Sequence, residues 1–106
     1  MDMTLVFTTV DSEDAAQRLA QEAVQRHLAA CVQVQAIRST YCWQGQVRDE
    51  AEFRLMAKTT PQRAPELLAA WRASHPYEVP ALWTVSAQSA QTRYAQWVLQ
   101  ETAPLP

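Results

Sequence analysis

The spacing of apolar residues switches repeatedly between two periods along the chain. "TLVFTTV", residues 4 to 10, is β-branched and apolar, which predicts a buried strand. In "DSED", Asp11 can cap a helix, and Glu13 and Asp14 suit the positive end of its dipole. Leu19, Ala20, Ala23, Val24 and Leu28 then recur at helical spacing, predicting a helix from about residue 12 to about 28. "CVQVQAIRSTYCW" returns to alternation, with Val32 and Val34 on one side and Gln33 and Gln35 on the other. Near Ala36 to Arg38 the phase slips, as at a β-bulge. "WQGQV" supplies a turn around Gly45, and residues 46 to 59 alternate again: Phe53, Leu55 and Ala57 against Glu52, Arg54 and Lys58. Thr60 as cap and Pro61 at the first helical position open a second helix, striped by Ala64, Leu67, Leu68 and Trp71. "ALWTVSA" reads as a fourth strand. "SAQTRYAQWVLQ" reads as a third helix, with Tyr94, Trp97 and Val98 on its apolar face.

The order β–α–β–β–α–β with a terminal helix predicts one α+β domain over residues 1–106, a ferredoxin-like split βαβ sandwich. Lengths add a further expectation. The third strand would span roughly 45 Å at ~3.3 Å per residue, whereas a helix of about 13 residues covers only ~20 Å. The central hairpin must therefore project beyond the helices. An overhang carrying Tyr41, Trp43 and Phe53 invites pairing with other copies of the chain, so a closed homo-oligomer is expected, with those three residues at its interface.

Composition narrows the function. A net charge of −2, a single lysine (Lys58) and scattered arginines leave no basic patch for nucleic acid or anionic membranes. The acidic residue and short apolar run at the N-terminus make a poor secretory signal, so a cytoplasmic protein is expected. Cys31 and Cys42 fall on one strand, too far apart for a disulfide, and reduced thiols suit that compartment. A single glycine excludes Gly-rich phosphate loops.

Four motifs, "LAACVQV" at 28–34, "YCWQGQV" at 41–47, "KTT" at 58–60 and "HPYEVP" at 75–80, together resemble the CutA divalent-cation-tolerance family, over about residues 4 to 100. The resemblance implies a ferredoxin-like subunit that assembles as a homotrimer, with an architecture similar to PII-type signalling proteins. It also implies a link to copper and other divalent cations, and no established enzymatic reaction. The chain departs from the pattern at Thr8, where some members carry cysteine. It departs again at Ser74, where some carry a second histidine, at "VQAIRS" and at Ala81.

Candidate site residues follow. His75 is either a metal ligand, for copper or another divalent ion, or an anchor for a proline-braced loop, since Pro76 pushes it towards extended backbone. Tyr77 and Glu78 would stand on the rim of that loop. Glu52 and Lys58 would line a cleft between subunits, Glu52 attracting a cation and Lys58 a small anion. Cys31 would either line that cleft or pack as a small apolar residue. A ferredoxin-like enzyme of acylphosphatase type is the alternative, but "TTVDSED" is acidic where that chemistry needs an anion cradle.

Overall fold

The computed structural model describes residues 2–104. Seven elements follow in order: β1 (Asp2–Val10), α1 (Glu13–Gln25), β2 (Cys31–Trp43), β3 (Gln46–Thr59), α2 (Ala64–Ser74), β4 (Leu82–Gln88) and α3 (Thr92–Glu101). The strands form one antiparallel sheet in the order β2-β3-β1-β4. This is the ferredoxin-like arrangement, with each βαβ unit straddling a strand of the other.

One face of the sheet is the core. Val6, Thr8 and Val10 of β1 and Leu55 and Ala57 of β3 are fully buried, packed under α1 and α2 through Ala16, Leu19, Ala23, Leu67 and Trp71. Trp71 is wholly enclosed, and its indole N–H donates to the Leu19 carbonyl at 3.0 Å, so its polar edge is satisfied across the helix pair. The opposite face is only partly covered. There α3 packs Val98 on Met3 and Ala30, and Lys58 Nζ lies 5.5 Å from the Tyr94 ring centroid. Beside α3, Phe7 stacks on the half-exposed Trp83 at 4.1 Å.

Local chemistry sets the helix ends. Ser12, not Asp11, caps α1, its Oγ accepting from Ala15 N–H at 3.1 Å. Helix α1 also stops at Gln25, short of the residue 28 that periodicity suggests. His27 adopts a left-handed backbone (φ 58°), Leu28 N–H donates to the Ala23 carbonyl and His27 N–H to that of Val24. These are the two bonds of a Schellman motif, with histidine where glycine is usual. Leu28 keeps helical spacing because it folds back onto Ala23 as the motif's apolar contact. Ahead of α2, Thr60 Oγ1 accepts from Arg63 N–H at 3.3 Å, and Pro61 lies in the turn before the helix proper begins at Ala64. Trp97, expected on an apolar face, is 40% exposed; Val98 and Ala95 carry the α3 contact instead.

The hairpin is longer than the body that carries it. Strand β1 pairs with β3 only from Thr59 to Phe53. Residues 46–52 of β3 pair with β2 alone, forming a two-stranded arm that contributes to a 45 Å long axis. The β2–β3 register runs unbroken from Cys31↔Lys58 to Trp43↔Gln46, so the bulge expected near Ala36 to Arg38 is absent. The apolar pattern slips there because the helices end. Past Ala36↔Phe53 no helix covers the ribbon, and its more buried face carries Arg48, Glu50 and Glu52 in place of apolar residues. Gln44 (φ 52°) and Gly45 (φ 77°) turn the arm, both left-handed as a two-residue type I′ hairpin requires.

Candidate functional site

At the base of the arm, the segment after α2 folds under the end of β1. His75 ends α2 in extended backbone (φ −72°, ψ 137°), as the residue before a proline should. Its ring is held at three points. Tyr77 N–H donates to Nδ1 at 3.1 Å, so Nδ1 carries the lone pair and the neutral ring has its proton on Nε2. Nε2 then donates to the Thr9 carbonyl at 3.0 Å, with Thr8 Oγ1 at 2.9 Å. Burial disfavours the imidazolium and lowers the His75 pKa, while Thr9, Asp11 and Glu52 act weakly the other way. Both ring nitrogens are engaged in this arrangement, so a metal ion would have to displace one of these bonds.

The next contact leads to the arm. Tyr77 Oη donates to Glu52 Oε2 at 2.7 Å. Desolvation, then the Glu52 carboxylate, raise the Tyr77 phenol far above its ordinary value, so it stays a donor at any physiological pH. Glu52 itself is 8% exposed. Thr8, His75, Tyr77 and Glu52 thus form one chain of contacts from the buried sheet to the arm.

Tyr77 and Glu52 open onto a cleft of about 580 Å³. Its walls are the arm face bearing Tyr41, Trp43, Arg48 and Glu50, the end of β1 at Asp11, and the loop at Glu78 and Val79. Desolvation, followed by Glu50, also raises the Tyr41 phenol. Four carboxylates face one guanidinium. Arg48 reaches Glu50 only at 3.9 Å, and its Nε is the one buried side-chain nitrogen or oxygen without a hydrogen-bond partner among the described residues.

Of the residues singled out from sequence, Glu52, Tyr77 and Glu78 meet in this cleft, and His75 braces its floor. Cys31 and Lys58 do not join them. They pair with each other at the opposite end of the β2–β3 ladder, where Lys58 lies by Tyr94. Tyr41 and Trp43 line the cleft and are 39% and 42% exposed, whereas Phe53 packs partly against the core. Sequence reasoning passed over Asp11, Arg48 and Glu50. Arg48 and Glu50 share the parity of Glu52 on β3, which is the available signal; Asp11 signals only a helix cap in the sequence. Among the described residues, no three His, Cys, Asp or Glu side chains converge closely enough to hold a metal ion. No helix there is long and apolar enough to cross a membrane.

Comparison with known proteins agrees over almost the whole chain. Residues 4–101 match the family model described as CutA1 divalent ion tolerance protein. The divalent-cation tolerance protein CutA of Thermus thermophilus is 36% identical over 99 residues, covering 92% of this chain and 96% of the relative. That of Thermotoga maritima is 33% identical over 96 residues, covering 91% and 95%. The solved structure of CutA from Synechococcus elongatus superposes with a TM-score of 0.93 at 35% identity, covering 96% of this chain and 91% of that one.

Proposed function

The chain belongs to the CutA1 divalent ion tolerance family, and from that premise we propose that it acts as a non-enzymatic homotrimer binding a small ligand or a divalent ion, copper foremost, through clefts completed by neighbouring subunits. The observation that carries this reading is the arm. A two-stranded ribbon with exposed Tyr41, Trp43 and Val47 has unpaired edges and apolar surface that a lone molecule leaves in water. The cleft lies at the base of the same ribbon, so copies that pair along the arm would also wall the cleft. Two free thiols, Cys31 and Cys42, suit the cytoplasm as the working compartment.

Because Nδ1 and Nε2 of His75 are both engaged, ion binding in this reading draws on side chains from more than one subunit. Sedimentation equilibrium at micromolar concentration tests the assembly. The expected species has three times the 12.0 kDa chain mass, and Trp43→Ala weakens it. A persistent 12.0 kDa species overturns the trimer. Calorimetric titration with copper and zinc tests the ion, and the absence of heat with both removes it from the reading.

A further inference from the structure

The wall of the cleft has a chemistry of its own. Glu52 is the most enclosed carboxylate of the described residues, at 8% exposure, yet no lysine, arginine or histidine forms an ion pair with it there. One of its oxygens accepts from the neutral Tyr77 phenol; the other, Oε1, has no hydrogen-bond partner among the described residues. Oε1 keeps contact with the space of the cleft, where a cationic group can pair with it. Asp11, Glu50 and Glu78 add negative charge around the same space.

The dimensions select the kind of cation. A bare metal ion needs several ligands within about 2–2.6 Å of one point, and the carboxylates here are dispersed around a space of about 580 Å³ rather than convergent. That volume lies in the range of organic-ligand pockets. Tyr41 and Trp43 supply aromatic faces of the kind that bind ammonium and guanidinium groups, and Val79 adds apolar surface. On the arm, the partly exposed Arg48 guanidinium lines the same space and reaches Glu50 only at 3.9 Å, so its terminal N–H groups can donate to a carbonyl or hydroxyl oxygen on the same molecule.

We propose that the cleft between Glu52, Tyr41 and Trp43 is a site for a small organic cation, an amine or guanidinium compound carrying a neutral oxygen acceptor. This rests on the reading of the cleft as a binding site and specifies its ligand class. The charged group meets Glu52 Oε1, its aliphatic body lies on Tyr41 and Trp43, and its oxygen accepts from Arg48.

The test is calorimetric titration of the assembled wild-type protein with Nα-acetylarginine amide and, as its neutral isostere, Nα-acetylcitrulline amide. The arginine compound is expected to bind at least tenfold more tightly. Glu52→Gln, which keeps an acceptor for Tyr77, is expected to remove that preference while the protein still folds and assembles as wild type by sedimentation. Trp43→Leu is expected to weaken both compounds. Equal affinity for the two compounds, or an undiminished preference in Glu52→Gln, overturns the organic-cation site. So does a crystal structure of the assembly in which an arginine or lysine of another copy fills the space beside Glu52. Binding of copper, or of an anionic probe such as citrate, without either amide sinks this proposal and leaves the cleft reading standing. Silence from every probe sinks both.

Discussion

Two halves of one hairpin live in different surroundings. In the body, residues 53–59 of β3 are flanked by β1 and β2 and roofed by helices, and Leu55, Ala57 and Thr59 are buried. In the arm, residues 46–52 of the same strand have one neighbouring strand and no helix above them, and Val47 is 80% exposed. Backbone pairing is equally regular in both. Hydrogen bonding alone therefore does not make a region self-sufficient, because the net gain per bond is small and burial supplies most of the driving force. The body's apolar side chains are enclosed within the subunit, whereas the subunit leaves Tyr41, Trp43 and Val47 of the arm exposed.

Two tryptophans give that contrast its strongest test. Trp71→Ala removes a fully buried side chain and leaves the Leu19 carbonyl without its donor. The expected loss is about 3–5 kcal/mol of unfolding free energy. Trp43→Ala, at a position 42% exposed, is expected to change the subunit's own stability by less than about 1 kcal/mol. It should instead raise the protein concentration needed before the urea midpoint begins to climb with concentration, as mass action requires when an interface is weakened. Unfolding curves at two concentrations a hundredfold apart check both. Equal losses for the two variants in dilute solution would erase the distinction between body and arm.

The same contrast explains how far the sequence could be read. Periodicity reports burial, so it was accurate wherever helices cover the sheet: Val32 and Val34 against Gln33 and Gln35 gave the correct face of β2. It misled at Ala36 to Arg38, where a lost roof resembles a slipped register. It also overran at Leu28, which is buried by a Schellman contact rather than by a further helical turn. Of the site, residues in one local motif were legible, since "HPYEVP" carries His75, Tyr77 and Glu78 together. Convergence of distant segments was not. Nothing in the spacing brings Asp11 to Arg48 and Glu50, although the distance of Lys58 from Glu52, roughly 20 Å along one strand, was legible from their positions.

Where body and arm meet, protonation offers a gentler probe. The depressed pKa of His75 means that the folded state resists protonation. Its contribution is present above the ordinary imidazole value of 6.5 and is lost as pH falls below it towards the folded value. The raised pKa of Tyr77 acts on the other flank: its contribution holds below the ordinary 10.0 and declines as pH rises beyond. Melting temperature followed from pH 5 to pH 11 is expected to fall at both ends. His75→Gln should flatten the acid limb and Tyr77→Phe the alkaline limb, each judged by difference from wild type. An acid limb unchanged in His75→Gln would mean that the Tyr77–His75–Thr9 bonds do not couple protonation to folding.

The smallest effect concerns the turn that closes the arm. Gln44 and His27 are the two non-glycine residues with positive φ among those described, one in each region. His27 has compensation, because Nδ1 lies 3.0 Å from the Glu101 carbonyl and ties α1 to the end of α3. No side-chain hydrogen bond of Gln44 offsets its left-handed backbone among the described residues, which for an ordinary residue costs about 1 kcal/mol. Asparagine tolerates that conformation better and precedes glycine in the favoured hairpin turn. Gln44→Asn is therefore expected to stabilise the arm by about 0.5 kcal/mol, read as roughly twofold slower amide exchange at Tyr41 and Arg48. Exchange at Val6 and Leu55 should stay as it was, provided that the arm opens without the body. Slowing shared by all four amides would show instead that the ribbon and the helix-covered sheet unfold together, and that the arm's stability is already that of the whole subunit.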